Sequence, residues 1–194
     1  MIDAIIKWER EDGVRFLKRT GIKTGQTVLD FGARVGHYSI PAAFAVGPEG
    51  QVYAIDREQR DLNQLVRKTE ALNLKNIKPV QTKGHVILDF DDASIDVILL
   101  YDVLHYLDKE KRKMLYREAY RVLKVDGWIS VYPKHVIEDA PADQFRDLHW
   151  DDVKNEILNQ NFQFQGKFCN TLSHDDFLIQ GCVFNFFKIY HDTH

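Results

Sequence analysis

The 194-residue sequence has few cysteines, no long apolar run and no surplus of positive charge. Its two cysteines, Cys169 and Cys182, match no metal-binding spacing and no disulfide framework, so we expect small buried side chains in a reducing cytoplasm. No apolar run approaches the roughly 18 residues of a membrane span, and the N-terminus lacks the apolar core of a secretion signal. The net charge of −3 argues against a large nucleic-acid surface, because phosphate binding usually requires a basic surplus. We therefore expect no nucleic-acid partner, no membrane span and a cytoplasmic location.

Length and composition indicate one globular domain. Hydrophobic residues make up 44% of the chain and charged residues 28%, a balance typical of soluble domains. No repeat, low-complexity stretch or linker rich in Gly, Pro or Ser divides it. We predict a single domain over 1–194, with a helical segment over 1–24, a core over 25–133, and a helix plus hairpin over 134–194. We interpret the closing residues, His191 to His194, as a polar tail rather than a metal site.

Short apolar runs alternate with amphipathic stretches through the first two thirds of the chain. The segment from Ile2 to Thr20 is predicted to be a leading helix, interrupted or bent near Gly13. Asp126-Gly127 is predicted to be a turn that leads into the fifth strand. The predicted strands cover 27–31, 51–55, 77–81, 95–101 and 128–132, and the predicted helices cover 37–46, 56–73 and 108–123. Strands separated by helices imply a parallel sheet with helices on both faces.

The final third of the chain has a different pattern. Residues 151–160 are predicted to be helical, 162–168 alternate aromatic and polar residues, and 183–190 are predicted to form a last strand. The connection over 170–181 is short and has no convincing helical pattern. We therefore expect the two strands to form an antiparallel hairpin.

The first predicted strand ends in the turn from Asp30 to Gly36. An open parallel sheet binds ligands beyond the carboxyl ends of its strands, and Gly32 and Gly36 let the backbone approach a ligand closely. Asp56, directly after the second strand, can accept two hydrogen bonds from a ribose diol. A nicotinamide-binding domain is the nearest alternative, but its G-x-G-x-x-G spacing does not fit Gly32 and Gly36.

From about Val28 to Tyr132 the chain resembles the class I S-adenosylmethionine-dependent methyltransferases, especially their small-molecule branch. The order and spacing of several pieces carry the resemblance, rather than any single one. These pieces are Val28-Leu29-Asp30-Phe31-Gly32-x-x-x-Gly36, Val52-Tyr53-Ala54-Ile55-Asp56, Ser94-Ile95-Asp96-Val97-Ile98, Leu104-His105-Tyr106-Leu107 and Arg121-Val122-Leu123-Lys124-Val125-Asp126-Gly127. The resemblance implies a Rossmann-like, doubly wound α/β sheet of seven strands. That sheet would be mostly parallel, with an antiparallel C-terminal strand and helices on both faces.

The resemblance also implies a cofactor, S-adenosylmethionine, and a role for each matched residue of the core. Gly32 and Gly36 would line the methionine end of the cofactor, and Asp30 would orient the turn. Asp56 would hold the ribose, and Asp102, after the fourth strand, would face the cofactor and substrate.

Two positions depart from the family pattern. The family turn is usually D-x-G-x-G-x-G, and Arg34 stands at the middle glycine, where a glycine-like backbone conformation would be strained. Its side chain either points inward, where it could pair with the methionine carboxylate, or outward into solvent, which we favour. His85 stands where the family often has an acidic residue that binds adenine, and a neutral imidazole can also accept that hydrogen bond.

The predicted chemistry is an in-line methyl transfer to an unidentified small molecule. Such a displacement depends mainly on positioning, and a general base is needed only if the acceptor must lose a proton. The candidate bases are His105, after the fourth strand, and His135, after the fifth. We expect no metal ion, since no metal-binding triad stands out. The lack of Asn-Pro-Pro-Tyr after the fourth strand argues against amino-methylating enzymes that act on nucleobases or glutamine.

The alternative hypothesis is a non-catalytic relative that keeps the fold as a binding or partner module, with a cofactor site made degenerate by Arg34. Acceptor specificity in this fold comes from three segments, which here cover 2–20, 102–109 and 134–150.

Overall fold

Seven strands form one sheet within residues 2–190, the part of the chain that the computed structural model describes. The predicted tail from His191 to His194 lies outside these residues. The strands are β1 (Thr27–Phe31), β2 (Gln51–Asp56), β3 (Ile77–Gln81), β4 (Ile95–Tyr101), β5 (Leu123–Tyr132), β6 (Phe162–His174) and β7 (Phe177–Lys188). Their order in the sheet is β3-β2-β1-β4-β5-β7-β6.

The strand directions are those of the predicted fold. Strand β2 is parallel to β1 and to β3, and β4 is parallel to β5. Strand β7 runs antiparallel to β5. The predicted α/β class, with a mostly parallel seven-stranded sheet and an antiparallel C-terminal strand, is therefore confirmed.

The leading helix is interrupted by a π-helical turn. The helices of the described residues are α1 (Ile2–Lys7), α2 (Gly13–Thr20), α3 (Ser39–Val46), α4 (Gln59–Ala71), α5 (Lys109–Val122) and α6 (Trp150–Leu158). The π-helical turn covers Trp8–Asp12 and separates α1 from α2, so the interruption predicted near Gly13 is confirmed. Turns of this kind are frequent at functional sites. No helix of residues 2–190 is long and apolar enough to cross a membrane.

The chain divides into two compact units. The first contains the described residues up to Gly84 together with Phe168–Cys182, which is the outer part of the β6–β7 hairpin. Its most buried helix is α3, whose sequence is apolar on every side and which therefore has no face suited to solvent. Pro41 lies in the first turn of α3, where its missing N–H breaks no helical hydrogen bond.

The second unit contains His85–Lys167 and the described residues from Val183 onward. Strand β4 is an almost continuous buried apolar run, as expected for a parallel strand covered on both faces. Helix α5 is amphipathic, and its buried Arg112 donates two hydrogen bonds to Glu156 of α6, at 2.8 and 2.7 Å. This bidentate pair joins the two helices.

Two parts of the predicted strand pattern need correction. Strand β5 begins at Leu123, directly after α5, and the Asp126-Gly127 pair lies inside it rather than in a separate turn. The register slips there, since Ile95 is opposite Leu123 while Val97 is opposite Trp128. Strands β6 and β7 also extend through most of the predicted 170–181 connection, and only a short turn separates them.

The two cysteines form a disulfide between β6 and β7. Cys169 is exposed and Cys182 is only partly buried, so the expectation of two buried, unpaired apolar residues is wrong. Their separation of 13 residues identifies a disulfide only once the hairpin brings the two strands together.

Candidate functional site

The turn after β1 is tied by hydrogen bonds to the end of β2. The backbone N–H groups of Gly32 and Ala33 both donate to the carbonyl of Ile55, each at 2.9 Å. The N–H of Arg34 donates to Asp56 Oδ2 at 2.8 Å. The other carboxylate oxygen, Asp56 Oδ1, accepts from the N–H of Glu58 at 2.9 Å, so one buried carboxylate fixes both chain segments.

Asp30 lies buried at the junction between β1 and α3. Its Oδ2 accepts a hydrogen bond from Ser39 Oγ at 2.6 Å. Burial raises the pKa of Asp30, the hydrogen bonds from Ser39 lower it and the nearby charge of Asp56 raises it, so that the net pKa is about 7. The predicted role of Asp30, to orient the turn, fits this position and stays a prediction.

Gly36 ends the turn in a left-handed conformation, with φ of 90°. A Cβ at this position would lie 2.3 Å from Leu65 Cδ1 of α4, which is fully buried. Glycine is therefore required here by both the backbone and the approach of α4. The roles of Gly36 and Gly32 in cofactor binding remain predictions.

Arg34 also adopts a left-handed backbone, with φ of 46°. Its side chain forms an ion pair with Asp175 and is 48% exposed, in line with the outward orientation favoured from the sequence. Partial burial lowers the pKa of the guanidinium, but Asp175 outweighs this effect and the net pKa lies above its ordinary value. Arg34 thus stays charged, and its charge is compensated.

A buried ionic network lies beside the turn. Glu9 Oε1 is 2.8 Å from His37 Nδ1 and accepts from Lys68 Nζ at 2.6 Å. Burial raises the pKa of Glu9, but the hydrogen bonds from His37 and Lys68 prevail, and the net pKa lies below its ordinary value. Trp8 Nε1 donates to the carbonyl of His37 at 2.8 Å. Sequence analysis did not identify Trp8 and Glu9 as site residues, because the periodicity of a regular α-helix does not predict the directions in which a π-helical turn points their side chains.

A cavity of about 740 Å³ borders this network, within the size range of small-molecule sites. Its lining includes Ile5, Ile6, Arg34, His37, Lys68 and Leu72.

The second unit brings together Asp102 and the two predicted catalytic histidines. Asp102 follows β4, His105 lies in the short 3₁₀ turn Leu104–Tyr106, and His135 follows β5. Asp102 Oδ1 is 3.7 Å from His105 Nδ1 and 3.8 Å from His135 Nε2. The two imidazole rings lie 4.4 Å apart, centroid to centroid. Sequence reasoning thus found a genuine cluster, although its catalytic role remains a prediction.

The two histidines differ in exposure and in hydrogen bonding. The side chain of His135 is 20% exposed, whereas that of His105 is 2% exposed. His135 Nδ1 lies 3.0 Å from the carbonyl of Ala140, which assigns the proton to Nδ1 and leaves Nε2 as a proton acceptor. Asp102 and His135 both have a left-handed backbone, with φ of 53° and 70°. Such conformations in non-glycine residues cluster at functional sites.

His85 lies in the exposed loop after β3. Its Nδ1 is 3.2 Å from the carbonyl of Ile87, a contact within the loop itself. Its predicted contact with adenine stays a prediction.

The chain is similar in sequence to curated methyltransferases. The chain is 32% identical over 126 residues to the demethylmenaquinone methyltransferase of Geobacillus kaustophilus, covering 63% of this chain and 49% of that protein. It is 28% identical over 118 residues to the enzyme of the same name from Lactobacillus johnsonii, covering 60% and 47%. The chain therefore spans about half the length of these curated relatives.

The crystal structure of a SAM-dependent methyltransferase from Aquifex aeolicus aligns with a TM-score of 0.71 and 23% identity. The alignment covers 93% of this chain and 90% of that one, and it shows a shared fold. Residues 28–127, just over half of the chain, match the family described as a methyltransferase domain. That range includes the turn after β1, Asp56 and the cluster residues Asp102 and His105. Because the match covers more than half of the sequence, the chain belongs to the methyltransferase domain family.

Proposed function

We propose that this protein is an S-adenosylmethionine-dependent methyltransferase that acts on a small molecule. The observation that carries the proposal is the position of the Asp56 carboxylate. It lies at the end of β2 and accepts a hydrogen bond from the turn after β1, and the chain belongs to the methyltransferase family.

The chemistry of Asp56 fits a ribose diol. A carboxylate offers about four acceptor positions, and here the backbone N–H groups of Arg34 and Glu58 use one on each oxygen. Each oxygen therefore retains a lone pair for a hydroxyl group. When bound, S-adenosylmethionine supplies a methyl group activated by a sulfonium centre. Asp56 would hold its ribose, and the turn from Gly32 to Gly36 would support its methionine end.

The main contribution of the protein is positional. The ties from the turn to Ile55 and Asp56 fix the backbone before any ligand arrives. Alignment of two reactants can supply about 7–11 kcal/mol of a barrier in the best cases. A rigid turn supports that kind of catalysis.

His135 is the residue that we propose as general base for an acceptor that must lose a proton. Its Nε2 is the unprotonated nitrogen of the inferred tautomer, and Asp102 lies 3.8 Å from it, where a carboxylate stabilises the imidazolium that forms on proton uptake. His105 is more deeply buried, and its ring lies against that of Tyr106 at 3.9 Å. We propose that His105 supports the cluster rather than taking up the proton.

A small-molecule acceptor agrees with the names of the two curated relatives and with the net charge of −3. The non-catalytic alternative depends on Arg34 blocking the cofactor turn. The ion pair with Asp175 weakens that alternative, because it directs the guanidinium to a partner and offsets its charge.

The activity is tested by the release of S-adenosylhomocysteine over a panel of phenols, carboxylic acids, amines and thiols. We expect turnover with one class of acceptor. If the acceptor must lose a proton, His135→Gln should lower kcat by about 10²-fold or more. Lys113→Gln is the control, since Lys113 is exposed on α5 of the same unit and lies outside the three segments that determine acceptor specificity. Equal loss in both variants would contradict the role of His135, and no product with any acceptor would count against the enzyme.

A further inference from the structure

The tip of the β6–β7 hairpin contacts the segment that contains and follows the turn. Asp175 forms an ion pair with Arg34, and Asp176 Oδ1 lies 3.4 Å from His37 Nε2. Tyr38 Oη donates to the carbonyl of Ser173 at 2.7 Å. Three neighbouring positions of the tip therefore contact three positions between 34 and 38.

The opposite side of the same segment is held by the π-helical turn. Trp8 donates to the carbonyl of His37, and Glu9 hydrogen-bonds its ring. His37 is thus contacted from two sides. The π-helical turn binds its carbonyl and its Nδ1, and Asp176 lies close to its Nε2 on the other side. The segment 34–38 is clamped between two elements that are far from it in the sequence.

The hairpin tip is itself anchored. Arg19 of α2 donates to the carbonyl of Cys169 at 2.8 Å, and the Cys169–Cys182 disulfide joins the two strands that carry the tip. A support of this kind can hold a turn that its own backbone disfavours. Arg34 is such a case, since a left-handed conformation is unfavourable for residues other than Gly, Asn and Asp.

We propose that Asp175 and Asp176 are positioning residues that hold the cofactor turn in place through Arg34 and His37. The inference rests on the proposed function in that the turn is taken to bind the cofactor. It accounts for Arg34, which stands where the family turn usually has its middle glycine, because the hairpin contacts the turn through the ion pair of Arg34 with Asp175.

Two conservative variants test the proposal, Asp175→Asn and Asp176→Asn. Asparagine has nearly the same size and tolerates the left-handed backbone of Asp175, whose φ is 50°. Asp92→Asn is the matched control, because Asp92 forms a partly exposed ion pair with Arg121 in the second unit, outside both elements that hold residues 34–38. The first readout is amide hydrogen exchange of residues 32–36 without ligand, and the second is the Kd for S-adenosylmethionine.

We expect exchange of the turn to be about threefold to fivefold faster in Asp175→Asn, the range of a partly exposed ion pair, and faster by a smaller factor in Asp176→Asn, whose contact with His37 is longer, at 3.4 Å. The Kd should rise by a similar factor, while kcat at saturating cofactor stays close to wild type. Asp92→Asn should match wild type in every readout. In a cycle with Arg34→Gln, the double variant Arg34→Gln/Asp175→Asn should be no worse than either single variant, because both remove one interaction.

Wild-type exchange of residues 32–36 in both hairpin variants would overturn the proposal, as would faster exchange with an unchanged Kd. Additive effects in the cycle would overturn the role of Arg34. Faster exchange in a protein that does not bind the cofactor even as wild type would support the clamp and count against the proposed function alone.

Discussion

Asp30 links its protonation state to the stability of the first unit. Its carboxyl group is buried, and its folded-state pKa of about 7 lies well above the ordinary value of 3.8. Between these pH values the folded protein holds a proton that the unfolded chain has released. The free energy of unfolding therefore falls as the pH rises from about 4 to about 7, by an amount on the order of 4 kcal/mol.

Asp30→Asn should remove this pH dependence. Asparagine is neutral at every pH and keeps an oxygen that can accept from Ser39 Oγ. We expect the variant to gain stability relative to wild type as the pH rises from about 4 to about 7, and the gain then to level off. Urea unfolding over a pH series measures it, with exposed Asp147→Asn as control. A stability difference that does not change with pH would refute the account of Asp30.

At the residue scale, local features could be predicted from the sequence, whereas contacts between residues far apart in the chain could not. Asp56 and the histidine cluster were found because each follows a recognisable strand. The partner of Arg34 is 141 residues away, and no local pattern connects the two. The disulfide was missed for the same reason, because the spacing of Cys169 and Cys182 becomes meaningful only with the register of the hairpin.

The junction of the turn with α4 depends on the absence of a side chain at Gly36. Gly36 and Gly25 both have a left-handed backbone, with φ of 90° and 83°. A Cβ on Gly25 would meet no other described atom within 4 Å, whereas a Cβ on Gly36 would lie 2.3 Å from Leu65 Cδ1. The two glycines therefore separate the backbone effect from the packing effect.

Gly25→Ala should lower the free energy of unfolding by about 1 kcal/mol through backbone strain alone. Gly36→Ala should lower the free energy of unfolding by about 1–3 kcal/mol more than Gly25→Ala does, because Leu65 is fully buried and has little room to move. Chemical denaturation of both variants measures the difference. Equal losses would contradict the close approach of α4 to the turn.

The β6–β7 hairpin depends on its cross-link. The disulfide closes a loop with a sequence separation of 13, for which chain entropy gives up to about 3 kcal/mol of stabilisation. We expect a lower Tm for the wild-type protein in reductant. The double variant Cys169→Ser/Cys182→Ser should already show the lower Tm and not respond to reductant. A wild-type Tm that is insensitive to reductant would contradict this role.

At the element scale, the short strands of the parallel part of the sheet were the most predictable. The predicted bounds of β1, β3 and β4 agree with the structure, since each is a short run closed by turn or polar residues. The hairpin was predicted too short because its polar positions resemble a loop although they pair as strand. Strand β5 was predicted too short because Asp126-Gly127 resembles a turn, while the register slip accommodates it inside the strand.

At the scale of the whole molecule, two compact units divide the predicted site residues. The first holds Asp30, Gly32, Arg34, Gly36 and Asp56, and the second holds His85, Asp102, His105 and His135. The class and topology of the sheet follow from alternation in the sequence and from the family resemblance. The clamp around residues 34–38 does not, because it depends on side chains that only the folded chain brings together.

The most direct test of the account is calorimetric titration of the wild-type protein with S-adenosylmethionine, beside Asp56→Asn. We predict saturable binding to one site in the wild type. Binding to the variant should be about tenfold weaker or more, as expected for the loss of charge-assisted hydrogen bonds. Thermal unfolding of both proteins verifies that each is folded at the temperature of the titration. No heat at millimolar ligand, in the wild type and in Arg34→Gly alike, would contradict the account.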